Sequence, residues 1–186
     1  MKQITDIDGN TYKTVKIGKQ EWMAENLNVS HYCNGDPIPK AKDEWSKLKT
    51  GAWCYYDHDE ENGKIYGKLY NGYAVYDPRG LAPEGWHVST DNEWKILMKY
   101  LGGEDIAGDK LKEPTYWWVE DYSVPTNESG FTALPGGLRD SIDDNFKLLD
   151  QGGYWVAFIE IKRKTYANDI KEKLLLYILL WLQQKE

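Results

Sequence analysis

The stretch Thr90-Asp91-Asn92-Glu93, followed by Trp94, Leu97, Met98 and Leu101 and closed by Gly102-Gly103, constrains this chain more than any other. The threonine hydroxyl is placed to accept the Glu93 backbone N–H, and the glutamate carboxylate to accept that of Thr90, which is a capping box. The apolar residues recur at i, i+3, i+4 and i+7 and so share one helix face. Two glycines at its end suit a left-handed cap. The spacing therefore predicts an amphipathic helix entered from a short strand around Trp86, His87 and Val88. Within "LAPEGWHVSTDNEW", His87 is not needed by the helix start. Between Trp86 and Val88 it reads as a satisfied, partly buried histidine rather than a catalyst.

Short strands and turns are expected around this helix. Asp8-Gly9 marks a hairpin between Ile7 and Tyr12, and Gly18-Lys19 a second turn. "DIDGN" has the acids of a calcium loop, but its glycine comes too early and no glutamate closes twelve residues. Residues 43–48 form a short helix capped by Asp43, with Trp45 and Leu48 on one face. "GAWCYY" reads as a strand and "DHDEENGK" as a solvated polar loop, in which His58 has no second histidine nearby to share a metal. "YGKLYNGYAVYD" reads as strand or tight aromatic turn, and Pro135-Gly136-Gly137 as a sharp turn.

At 186 residues the chain fits one domain with a sizeable core, rich in tryptophan (nine) and tyrosine (fourteen). A net charge of −7 argues against a nucleic-acid partner, which needs a basic stripe to meet phosphates. The longest apolar run, 174–182, is about half of what a spanning helix requires, so no membrane span is expected. The opening "MKQITD" has no apolar stretch, so a signal peptide is not expected either.

His31, His58 and His87 are scattered, and no glycine-rich phosphate loop follows a strand, so the residues do not assemble an enzyme site. Aromatic side chains offer a different chemistry. Trp117, Trp118 and Tyr122 fall on a loop where they would stack on a sugar ring or anchor a protein; plugging the core is an equal alternative for the tryptophan pair. Asp140, Asp143, Asp144 and Asn145 offer oxygen ligands to a hard cation, though a solvated turn is the closer reading. Calcium keeps only that weak claim, and no cofactor is expected. Cys33 and Cys54 each adjoin a tyrosine. In an extracytoplasmic setting they would form a disulfide closing about 20 residues, worth roughly 3 kcal/mol; two buried thiols are the alternative.

Seven segments occur in order: "DIDGNTYKTVKIGKQEWMAENL", "NGDPIP", "GAWCYY", "YGKLYN" with "YAV", "GLAPEGWHV" with "TDNEW", "GFTALPGG", and "GYW". Together, over about four-fifths of the chain, they resemble the Fibrobacter succinogenes major paralogous domain. The resemblance implies an α+β domain with the C-type lectin fold, in the branch of the formylglycine-generating-enzyme-like domains. It would have small twisted antiparallel sheets, two helices and long irregular loops. It further implies a lipoprotein-like surface or secreted protein of Bacteroidetes and related bacteria, and hence an extracytoplasmic location. The oxidase branch uses paired cysteines late in its domain, whereas Cys33 and Cys54 lie early. Glu113-Pro114-Thr115 only partly echoes the calcium-dependent sugar motif of C-type lectins. The expected function is a noncatalytic domain that binds a glycan or protein, or else a purely structural module of a larger surface assembly.

Three departures stand out. Gly72 replaces a common aromatic, Ser89 a common proline, and nothing after Trp155 resembles the family's closing strands. Up to residue 159 there are about 17 basic and 26 acidic residues, against about 6 and 4 from 160 to 186. The reading is therefore a domain over 1–159 and an atypical basic, apolar tail over 160–186. A shifted reading frame late in the gene would produce such a break, as would a genuine C-terminal helix replacing the last strands. That helix, over 171–184, would make few contacts with the body and would promote self-association.

Overall fold

Asp6 organises the first hairpin. Its carboxylate accepts the backbone N–H groups of Asp8 and Asn10, both at 2.9 Å, the Asn10 amide at 2.8 Å and the Tyr12 hydroxyl at 2.5 Å. Four donors on one buried carboxylate fix the turn between strands β1 (Gln3–Thr5) and β2 (Thr11–Ile17). Asp6 of "DIDGN" thus serves the turn. Gly18 leads into β3 (Gln20–Met23) with φ +62°, where a Cβ would stand 2.9 Å from the Tyr100 ring.

The computed structural model describes residues 2–116, 124–151 and 182–184. After β3 come β4 (Trp53–Cys54), helix α1 (Glu60–Tyr66), β5 (Leu69–Tyr70) and helix α2 (Gly72–Val75). Strand β6 (Trp86–Val88) runs into α3 (Asp91–Tyr100), followed by α4 (Glu104–Leu111), β7 (Gly136–Arg139), β8 (Phe146–Leu149) and β9 (Leu182–Gln184). The main sheet has the order β1-β2-β3-β9-β6, and the pairs β4-β5 and β7-β8 form two small antiparallel sheets. This is a mixed α/β chain with small antiparallel sheets.

Among the described residues there are four helices, against the expected two. The capping box of α3 forms as the spacing requires, with both reciprocal bonds present. "DHDEENGK", expected as a loop, holds α1 instead, because Asp59 accepts the Glu61 N–H and starts the helix. Asn71 likewise caps α2, inside the segment read as strand or turn. The expected helix over 43–48 shrinks to a 3-10 turn at Trp45–Lys47: Glu44 sits at φ 55°, which blocks a regular helical start. Residues 136–137 belong to strand β7 rather than to a sharp turn. Among the described residues no helix is long and apolar enough to cross a membrane.

The tail differs most from its expectation. Leu182–Gln184 is a strand, not the end of a helix, and it pairs with both neighbours. Gln183 faces Trp22 of β3 on one side and His87 of β6 on the other. Two strands that would otherwise expose facing backbone groups are bridged, and that pairing outweighs local helix preference. Residues 171–181 lie outside the described residues.

Among the described residues, three apolar clusters fill the interior. One packs Tyr12, Met23, Tyr32, Tyr70, Leu81 and Trp86 under the main sheet. A second joins α3 to the sheet through Trp94, whose ring lies 4.9 Å from Trp22 and 5.7 Å from Phe131. The third surrounds Trp45, Cys54 and Leu138.

Candidate functional site

A cleft of about 770 Å³ opens between the Asp6 turn and the segment that follows α2. Thr5, Asp6 and Ile7 form one wall, and residues 78–88 form the other. That volume lies in the range of ligand sites, roughly 300–1,000 Å³. Its surface is mixed: Val75, Leu81 and Trp86 are apolar and buried, while Arg79 and Glu84 stand exposed.

The wall at Asp77–Gly80 is built by its own turn. The Asp77 carboxylate accepts the Arg79 N–H at 3.0 Å, and the Gly80 N–H reaches the Asp77 carbonyl at 2.9 Å. Arg79 then returns two donors to the same carboxylate, Nε and Nη2, each at 2.8 Å. Its Nη1 reaches Asp36 at 2.9 Å, and the guanidinium lies 3.9 Å from the centre of the Tyr32 ring. This fork–fork pair with a stacked face fixes an exposed arginine in one orientation. The Arg79 hydrogen bonds hold the Asp77 carboxyl down to about 2 and also lower that of Asp36.

The opposite wall is tied down just as firmly. Asp8 accepts the Ser30 N–H and meets His31 Nδ1 at 2.5 Å. Burial alone would raise the Asp8 carboxyl, but these bonds, with the charges of His31 and Lys68, hold it below its ordinary value. Behind Asp8, Lys68 is buried, donating to the Asn28 carbonyl at 2.5 Å and the Ser30 hydroxyl at 2.8 Å. Its ammonium lies 4.4 Å from the Trp53 ring centre, and burial lowers its pKa to about 8.

The three histidines sit in three different settings. His87 lines the cleft and meets Glu93 at 2.7 Å through Nε2, while its buried Nδ1 has no hydrogen-bond partner among the described residues. His31 is engaged by Asp8. His58 packs edge-on against Phe146, with its pKa lowered by burial and by Arg139.

Cys33 and Cys54 remain thiols, and among the described residues no disulfide joins them. Cys33 is exposed at the cleft, its Sγ 2.8 Å from the Ala82 carbonyl, whereas Cys54 is buried in the Trp45 cluster. Their neighbours belong to different parts of the fold. Of the acidic turn, Asp140 and Asp143 both bind Lys147 at 2.8 Å, and Asp144 accepts the Ser46 N–H at 2.6 Å. Lys147 thus stands where a cation would. Glu113 turns back on the Thr115 N–H and hydroxyl. Trp117, Trp118 and Tyr122 lie outside the described residues.

A family model for the Fibrobacter succinogenes major domain matches residues 15–173. The chain belongs to this family. The major-domain match includes the cleft wall at 78–88 and begins after the wall at Thr5–Ile7. It also runs beyond Trp155, where the sequence motifs stop. No curated protein and no solved structure matches the chain.

Of the cleft residues, the sequence singles out His87 and Cys33 but not Arg79. "DPRG" at 77–80 carried the signal, since Asp-Pro with a following glycine is turn chemistry that fixes the residue between them. Nothing local announces Tyr32 as the ring beneath Arg79, because the pairing spans 47 positions.

Proposed function

We propose that this major-domain protein is a noncatalytic binding domain of a bacterial surface or secreted protein, on a C-type-lectin-like frame, and that its cleft receives a glycan or protein ligand. One observation carries the reading: an open cleft of about 770 Å³ whose two walls are immobilised, one by the Asp6 and Asp8 hydrogen bonds and the other by Arg79 on Tyr32. Rigid walls reduce the ordering cost of binding, which favours a recognition surface. The competing reading is a purely structural module. It draws on the same ion pairs, since Arg79 already spends its donors on Asp77 and Asp36.

A glycan and peptide array probed with the purified protein, with and without calcium, tests the proposal. Binding that Arg79→Ala reduces and Trp117→Ala/Trp118→Ala leaves unchanged supports the cleft. The opposite pattern assigns recognition to the aromatic loop. Absence of binding from both halves of the array favours the structural module.

A further inference from the structure

A second pocket, of about 340 Å³, shares no lining residue with the cleft. It lies where the end of α3 meets the turn between β2 and β3, and Lys16, Gly18, Tyr100, Lys110, Glu128 and Ser129 line it. Tyr100 is 65% exposed, yet its ring is seated. A Cβ built on Gly18 would stand 2.9 Å from Cδ2, 3.1 Å from Cε2 and 3.2 Å from Cγ of that ring. Near-equal distances to three adjacent atoms put the glycine over the ring face, since an approach to the edge would leave two of them markedly farther away. One face thus rests on the turn, and the exposure leaves the opposite face to solvent.

The surroundings are fixed and polar. The Ser129 N–H and hydroxyl both donate to the Lys110 carbonyl, at 3.1 and 2.7 Å, and the Thr126 N–H donates to that of Asp109 at 2.8 Å, which ties residues 126–129 to α4. Lys110 meets Glu128 at 3.7 Å, beyond hydrogen-bond reach. Glu21, opposite Lys16 in the β2–β3 register, turns instead to Lys2 at 3.4 Å and accepts the Thr14 hydroxyl at 2.8 Å. Lys16 is exposed and has no carboxylate partner among the described residues. The lining therefore sets two lysines against one glutamate, in a chain whose net charge is −7.

These features select a ligand class. A pyranose has a face of C–H bonds, which is drawn to the negative face of an aromatic ring, and a rim of hydroxyls that suits polar neighbours. A peptide anchor needs an apolar socket to enclose it. Here Ile17 and Leu101, which also border the pocket, are buried, and charged and hydroxyl side chains surround one open ring face. The surplus cation favours a sugar that carries a carboxylate. We infer that Tyr100 is the platform of a second binding site, which stacks one pyranose ring of an acidic glycan and sets its carboxylate against Lys16 and Lys110. The site is independent of the cleft and does not need the cleft to bind anything.

The test titrates the full chain with trimers of glucuronic, mannuronic and galacturonic acid, and with the carboxyl-reduced form of each, followed by amide NMR. At least one acidic trimer should bind and shift the amides of Gly18, Leu101 and Ser129. Its carboxyl-reduced form should bind about tenfold more weakly or worse. Tyr100→Ala should abolish the shifts, Tyr100→Trp should keep them, and Lys16→Ala should weaken binding several fold. The exposed position of Tyr100 should let Tyr100→Ala fold, which an unchanged amide spectrum away from α3 verifies. Arg79→Ala should leave this binding as it is. No binding by any acidic trimer, or equal binding of the reduced forms, would overturn the inference. Binding that Arg79→Ala removes and Tyr100→Ala leaves intact would also overturn it, by moving the ligand to the cleft.

Discussion

Glu93 joins His87 to the start of α3. One carboxylate oxygen meets His87 Nε2 at 2.7 Å, and the other accepts the Thr90 N–H at 2.6 Å and the Thr90 hydroxyl at 2.8 Å. The capping box therefore does more than start a helix. It orients a histidine on β6 that faces the cleft, so a local sequence motif and the candidate site share one side chain.

Stability should follow that division of labour. Thr90→Ala removes a cap and should cost about 1 kcal/mol. Glu93→Ala leaves the Thr90 N–H and His87 without their acceptor and should cost more, about 1–3 kcal/mol. Trp94→Ala empties space against Trp22 and Phe131 and should cost about 3–5 kcal/mol. Urea unfolding of the three variants checks the order. A Trp94→Ala loss no larger than that of Thr90→Ala would contradict the packing described.

The thiols give a separate readout. Burial pushes the Cys54 thiol up to about 11, so little thiolate forms at pH 8 and access is blocked as well. Cys33 is exposed at the cleft. Maleimide at pH 8 should therefore modify Cys33 within minutes and Cys54 only after denaturant is added. Failure of both to react in denaturant without reductant would instead reveal the disulfide.

What could be read in advance was what depends on neighbours in sequence. Thr90, Glu93, Trp94 and Leu97 declare α3 because a capping box and a 3.6-residue period are local. The hairpin at Asp8-Gly9 declares itself for the same reason. The α1 helix hid in "DHDEENGK" because its charge resembled a solvated loop, although Asp59 was a legible cap. The site was less visible than the fold. Arg79 on Tyr32, and Asp8 against His31 and Lys68, are pairings across 47, 23 and 60 positions, set by how strands and loops stack. Strand β9 was misread for a related reason: a three-residue stretch has no period of its own, and the backbone groups of β3 and β6 decide its conformation.

Lys68 predicts a pH dependence. Its folded pKa, lowered to about 8 by burial, lies below the ordinary lysine value of 10.5. The unfolded chain then holds more protons than the folded one between pH 8 and about 10.4, so this group's contribution to stability rises with pH across that window. Below pH 8 burial disfavours the charged form in the fold, even with the bonds to Asn28 and Ser30 and the Trp53 face in place. The unfolding free energy of the native protein minus that of Lys68→Met should accordingly increase from pH 7.5 to pH 10. A flat difference would mean that the ammonium is solvated and its pKa ordinary.

The last prediction concerns Gln183, which occupies the middle of the sheet between Trp22 and His87. Proline there removes a backbone donor and cannot sit in a central strand without loss of pairing. Gln183→Pro should destabilise the domain by about 1–3 kcal/mol, the penalty for unmet buried backbone groups. Removing residues 182–186 should have the proline effect and one more. With β9 gone, the inner edges of β3 and β6 are exposed, and open edges invite pairing with other chains. Sedimentation should therefore show more self-association after the deletion, the reverse of what a detached sticky tail would give. If the shortened chain instead keeps its full stability and sediments as a cleaner monomer, β9 is not part of the working sheet.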